Sequence, residues 1–126
     1  MLVCDDEPIV RILVRAALDR EKYIMVVARD GNEALALARS EQPDLILLDV
    51  VMPGRSGPNV LDALRRDPAT ATTPIVILTA WTQATDGAEM LRAGADGFLT
   101  KPFSPHELAS LIAELLKDPV APARAA

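Results

Sequence analysis

Asp5, Asp6, Asp49, Thr79 and Lys101 are the residues of this chain whose types and positions could do chemistry together. Each sits in or just after a short apolar run: LVC precedes the acid pair, DLILLDV carries Asp49, PIVILTA carries Thr79 and GFLT precedes Lys101. Neighbouring carboxylates repel and disfavour one another's ionisation, so Asp5 and Asp6, with Glu7 directly after them, call for an offsetting positive charge. An acidic trio of Asp5, Asp6 and Asp49 drawn from two strands is a hard-oxygen site suited to Mg²⁺. A metal, a lone carboxylate, a hydroxyl and an ammonium are the parts needed for phosphoryl transfer to an aspartate. The carboxylate attacks, the cations neutralise charge developing on the phosphoryl oxygens, and the hydroxyl donates a hydrogen bond to one of them. An ionised carboxylate needs no separate base, which accords with His106 being the single histidine.

Taken singly, each of these residues has an ordinary use. Asp at a strand end forms turns and caps, Thr suits strands, and Lys before Pro is commonly a solvated charge. The chemical reading therefore requires elements that bring them to one place. Five apolar runs, LVC at 2, YIMVV at 23, DLILLDV at 44, PIVILTA at 74 and GFLT at 97, lack polar alternation, as strands covered on both faces do. Between them lie stripes at helical spacing: Ile9, Leu13, Ala16 and Ala17; Ala34, Leu35 and Ala38; Leu61 and Leu64; and a short one at Met90 and Leu91. The last helix has the fullest start signal, with Ser104 as cap, Pro105 in the first turn and Glu107 closing a capping box, and it should end near Lys117. Five β-α alternations imply an α/β fold with a doubly wound, five-stranded parallel sheet, whose ligands bind at the carboxyl ends of the strands. The order 2-1-3-4-5 makes strands 1, 3, 4 and 5 neighbours and gathers the five residues at one edge.

The bulk properties narrow the function. A chain of 126 residues, half of them hydrophobic and a quarter charged, fits one domain. A net charge of -5, with 13 basic residues spread along the chain, argues against nucleic-acid binding by this domain. The single cysteine, Cys4, excludes an internal disulfide and a cysteine-rich zinc site, and reads as a small buried apolar residue. No apolar stretch approaches a membrane span, so a cytoplasmic location is expected. Residues 118–126, a Pro/Ala-rich stretch, read as a tail or the start of a linker after a domain at 1–117.

In order and spacing, CDDEP at 4, LLDVVMPGRSG at 47, ILTA at 77 and AGADGFLTKPF at 93 resemble the receiver domains of bacterial two-component response regulators. The resemblance covers roughly residues 1–117 and implies the flavodoxin-like (βα)5 fold. It also implies that Asp49 takes a phosphoryl group from a histidine kinase or a histidine phosphotransfer protein, with Mg²⁺ as cofactor. On that pattern Asp6 is a direct metal ligand, Asp5 acts through a metal-bound water, and the backbone carbonyl of Val51 is a further ligand. Thr79 is the switch hydroxyl and Lys101 the phosphoryl-binding lysine, with a cis bond expected between Lys101 and Pro102. Phe98 occupies the place of the switch aromatic; lacking a hydroxyl, it would couple by packing alone. The family's usual docking face, for a partner or an attached effector domain, is formed by the fourth helical segment, strand 5 and the last helix.

Four departures stand out. Strand 1 is short. The loop after Asp49 reads Ser56-Gly57-Pro58 where relatives usually carry an acid before the glycine, and Pro58 suits a helix start. Val51 and Trp81, which flank the phosphoryl site in relatives, are both bulky and apolar, suggesting hindered attack by water and slow self-dephosphorylation. The last helix lacks arginine, which disfavours the charged dimer that many DNA-binding relatives use. Two other classes compete. A phosphatase of the haloacid dehalogenase type would carry a second aspartate where Val51 stands. A pseudo-receiver would have lost part of the set that is present here. The residues leave open whether the domain works alone or within a longer protein, the Pro/Ala stretch leaning towards the latter.

Overall fold

The structure, a computed structural model, describes residues 1–5, 7–17, 24–49, 57–80, 91–101 and 103–116. Asp6, Val51, Trp81 and Pro102 lie outside the described residues, as do most of the fourth helical segment and the Pro/Ala stretch.

Among the described residues, nine elements run in the order β1 (Leu2–Cys4), α1 (Pro8–Ala17), β2 (Val26–Ala28), α2 (Gly31–Glu41), β3 (Ile46–Asp49), α3 (Gly57–Arg66), β4 (Ile75–Ala80), β5 (Gly97–Lys101) and α4 (Pro105–Leu116). The strands form one parallel sheet ordered β2-β1-β3-β4-β5, as the spacing of the apolar runs implies. Parallel neighbours need helical crossovers, and those helices cover both faces. Leu2, Cys4, Ile46, Leu48, Ile75 and Ile77 pack on one side with Ala34 and Ala38 of α2 and Val60, Leu61 and Leu64 of α3. Val3, Leu47, Val76 and Leu78, alternating with them along the strands, pack on the other side with Val10 and Val14 of α1 and Leu108 and Ile112 of α4. Each large side chain so buried contributes about 1.5–3 kcal/mol relative to exposure.

Two helix starts follow their capping chemistry. Asp30 accepts a hydrogen bond from the Glu33 amide at 2.8 Å, and Glu33 reaches back to the Arg29 amide at 3.1 Å. At α4 the Ser104 hydroxyl accepts from the Glu107 amide at 3.0 Å while Glu107 accepts from the Ser104 amide at 3.2 Å, the expected reciprocal box. The helix is described as Pro105–Leu116, and Lys117, near which its end is expected, lies outside the described residues.

Elsewhere the sequence pattern is shifted. In α1 the buried residues are Val10 and Val14, whereas Ile9 is 54% exposed and Ala16 also faces out. Arg11 and Arg15 share one face, and the apolar arc of Ile9, Val10, Ile12, Leu13 and Val14 opposite them is wider than a single stripe, so spacing alone cannot select which part of it meets the sheet. The second strand begins at Val26, with Ile24 80% exposed ahead of it, because pairing with the three-residue β1 limits its length.

At the amino end of β4, one residue ties three segments together. Arg65 of α3 donates to the carbonyls of Thr73 at 2.8 Å, Ala71 at 3.2 Å and Thr70 at 3.3 Å, to Gly94 O at 2.9 Å and to Asp96 Oδ2 at 2.8 Å. Asp96 Oδ2 also accepts from the Ile75 amide at 2.8 Å, fixing the start of β4 against the turn into β5.

Candidate functional site

The parallel sheet delivers four chemically loaded residues to its carboxyl edge. Asp5 directly follows β1, Asp49 ends β3, Thr79 is the penultimate residue of β4 and Lys101 ends β5. Register sets their relative heights: Asp49 pairs with Leu78, one residue before Thr79, and Thr79 pairs with Thr100, one residue before Lys101. Asp5 and Thr79 are fully buried and Asp49 nearly so.

Asp5 is held rigidly. Its amide donates to Ala28 O at 3.1 Å, and its Oδ1 accepts from the Glu7 amide at 2.8 Å, a local turn that carries the chain away from β1. The other oxygen, Oδ2, accepts from Lys101 Nζ at 2.9 Å. The same ammonium donates to Glu7 Oε1 at 2.8 Å and lies 3.4 Å from Asp49 Oδ2. Burial alone would lower the lysine's affinity for its proton. The hydrogen bonds to Glu7 and Asp5, helped by the charge of Asp49, outweigh that and raise its pKa above the ordinary lysine value.

Oxygens of Asp5, Glu7 and Asp49 all lie within 4.8 Å of one another, close enough to hold a metal ion. Among the described residues the cluster sets one ammonium against three carboxylates, and every donor offered is a hard oxygen. That chemistry fits a small divalent cation.

The geometry thus unites Asp5, Asp49 and Lys101 as the spacing suggests, with Thr79 on the adjoining strand. Phe98 stands apart from the carboxylates. It is half-buried and packs on the sheet face covered by α2 and α3. Glu7 enters as a partner of Lys101 that spacing did not single out; its signal was only the third acid of the DDE run. Asp6, Val51, Trp81 and Pro102 belong to the expected site but lie outside the described residues.

Comparisons with known proteins match the family and the fold. The family described as response regulator receiver domain matches residues 1–113. Among curated relatives, the phosphate regulon transcriptional regulatory protein PhoB of Pseudomonas aeruginosa is 38% identical over 93% of this chain and 51% of its own length. The transcriptional regulatory protein ResD of Bacillus subtilis is 40% identical over 93% of this chain and 48% of its own. This chain therefore spans about half the length of the curated relatives it matches. Among solved structures, the receiver domain of NtrX from Brucella abortus superposes with a TM-score of 0.84 at 28% identity, covering 93% of this chain and 98% of that one. The chemotaxis response regulator CheY4 of Vibrio cholerae gives 0.81 at 35% identity, covering 90% and 95%. With its 2-1-3-4-5 sheet and an acid-lysine cluster at the strand ends, this chain belongs to the response regulator receiver domains of two-component signalling systems.

Proposed function

We propose that this domain accepts a phosphoryl group on Asp49 in a Mg²⁺-dependent step and passes the signal on by a change of conformation. The observation carrying this reading is the placement of Lys101 Nζ 3.4 Å from Asp49 Oδ2, beside carboxylate oxygens of Asp5, Glu7 and Asp49 clustered within 4.8 Å. Asp49 attacks phosphorus with a carboxylate oxygen. The new P–O bond forms as the P–N bond to the donor histidine breaks, and the electron pair leaves on the imidazole nitrogen, which takes up a proton. Lys101 neutralises a phosphoryl oxygen, and the Thr79 hydroxyl donates a hydrogen bond to another. Mg²⁺, when bound, supplies further positive charge to the phosphoryl oxygens. Asp5, Asp6, Asp49 and the Val51 carbonyl would hold the ion.

Signal transmission would follow from Thr79 moving towards the phosphoryl group and Phe98 packing inward behind it. The phosphodonor is a histidine kinase or histidine phosphotransfer protein, and the responding face is that of the fourth helical segment, β5 and α4. The functional unit is residues 1–117, a limit supported by the family match ending at 113 and α4 ending at Leu116. The curated relatives named above are transcriptional regulators twice as long, so an attached or separate effector acts downstream. Val51 and Trp81 would slow loss of the phosphoryl group by crowding out water.

Intact mass after treatment with acetyl phosphate and Mg²⁺ tests the assignment. Wild type should gain one phosphoryl group and Asp49→Asn none; a gain in both would overturn the choice of Asp49.

A further inference from the structure

Three carboxylates compete for one ammonium at the strand ends, and they compete on unequal terms. Lys101 has three N–H donors and no acceptor. Its two short contacts go to Glu7 at 2.8 Å and Asp5 at 2.9 Å; the contact to Asp49 is the long one, at 3.4 Å. Asp5 is fully buried, and its other oxygen is tied to the Glu7 amide. The Glu7 side chain is 50% exposed, so it can return to water at little cost. Asp5, once left by the ammonium, would depend on the metal alone for an opposing charge in the interior.

We propose that Glu7 is a positioning residue: a latch that draws the Lys101 ammonium towards the rim of the site, and that must let go when a phosphoryl group on Asp49 claims it. This rests on the reading of Asp49 as phosphoacceptor. The reason is a matter of donors. A phosphoryl oxygen near Asp49 needs one of three N–H groups already committed, and Glu7 is the partner whose release leaves no buried charge behind. A contact made only in the unphosphorylated state favours that state, and removing it shifts the balance to the phosphorylated form. The exposed half of the pair limits the shift to about two- to fivefold.

The test uses beryllium fluoride, which mimics a phosphoryl group, at saturating Mg²⁺, with Kd read by calorimetry for wild type, Glu7→Gln and Glu7→Asp. The aspartate keeps the charge but is too short to reach. Both variants should bind about two- to fivefold more tightly than wild type. In wild type the Glu7 side-chain carboxylate ¹³C signal should move to its free-solution value when beryllium fluoride is added, and the Lys101 ε-¹⁵N signal should shift with it. Tighter binding by Glu7→Gln with wild-type affinity in Glu7→Asp would reduce the effect to charge alone and overturn the latch, as would equal or weaker binding in both variants or a Glu7 signal that does not move. A wild type that binds no beryllium fluoride at all would overturn the phosphoacceptor reading itself.

Discussion

Lys101 and Asp5 are 96 residues apart in the chain and 2.9 Å apart in space, with Asp5 wholly out of solvent. Their pairing joins the first strand to the last across β3 and β4. Lys101→Ala strands a buried carboxylate, which should lower stability to urea by about 2–4 kcal/mol without added metal. Magnesium, bringing positive charge to the same carboxylates, should return part of that loss while phosphoryl acceptance stays impaired. Urea melts with and without Mg²⁺ measure both effects.

At the opposite end of the sheet, Arg65 should behave as a purely structural residue. Arg65→Ala removes the shared donor from four carbonyls and from Asp96, and should cost about 2–3 kcal/mol. Arg65→Lys should recover less than half, since a single ammonium cannot span acceptors arranged for a planar fork. Phosphoryl gain at saturating donor, read by intact mass, should stay at the wild-type level in whatever fraction remains folded.

The α4 capping box offers a smaller and cleaner measurement. Ser104→Ala leaves the Glu107 amide without its partner and should destabilise by about 1 kcal/mol in urea. Glu107→Ala should cost less, because the contact it removes is the longer of two equally exposed ones.

Cys4 should be inert in the folded protein. Burial pushes its thiol pKa up, with the nearby charges of Asp5 and Glu33 acting in the same direction. The unfolded chain's thiol ionises near 9.0, whereas the folded one stays protonated well above that. The fold therefore keeps this contribution below pH 9 and loses stability as pH rises beyond it, by one proton's worth per unit. An aromatic disulfide reagent should label Cys4 only after denaturant is added, and urea midpoints should fall between pH 9 and 11.

How far the sequence disclosed this arrangement can be judged residue by residue. Asp49, Thr79 and Lys101 each end or nearly end an uninterrupted apolar run, so a parallel sheet had to bring them to one edge; the order of strands followed from that convergence. Ser104 and Glu107 announced their helix because capping is a local interaction. Glu7 as a lysine partner, and Arg65 as the tie between Thr73, Gly94 and Asp96, were hidden because their partners lie up to 94 residues away and no short-range pattern marks them. The α1 face was misjudged at Ile9 for a different reason: the apolar arc of the helix is wider than one stripe, and the neighbouring elements choose which part of it is buried.

The interior position of β1, between β2 and β3, bears on how the domain matures during synthesis. Val3, Val10 and Val14 leave the ribosome well ahead of α4, whose Leu108 and Ile112 shield them. Until α4 emerges, the nascent domain must carry one oily sheet surface without its full lid, a period when chaperone capture competes with self-association.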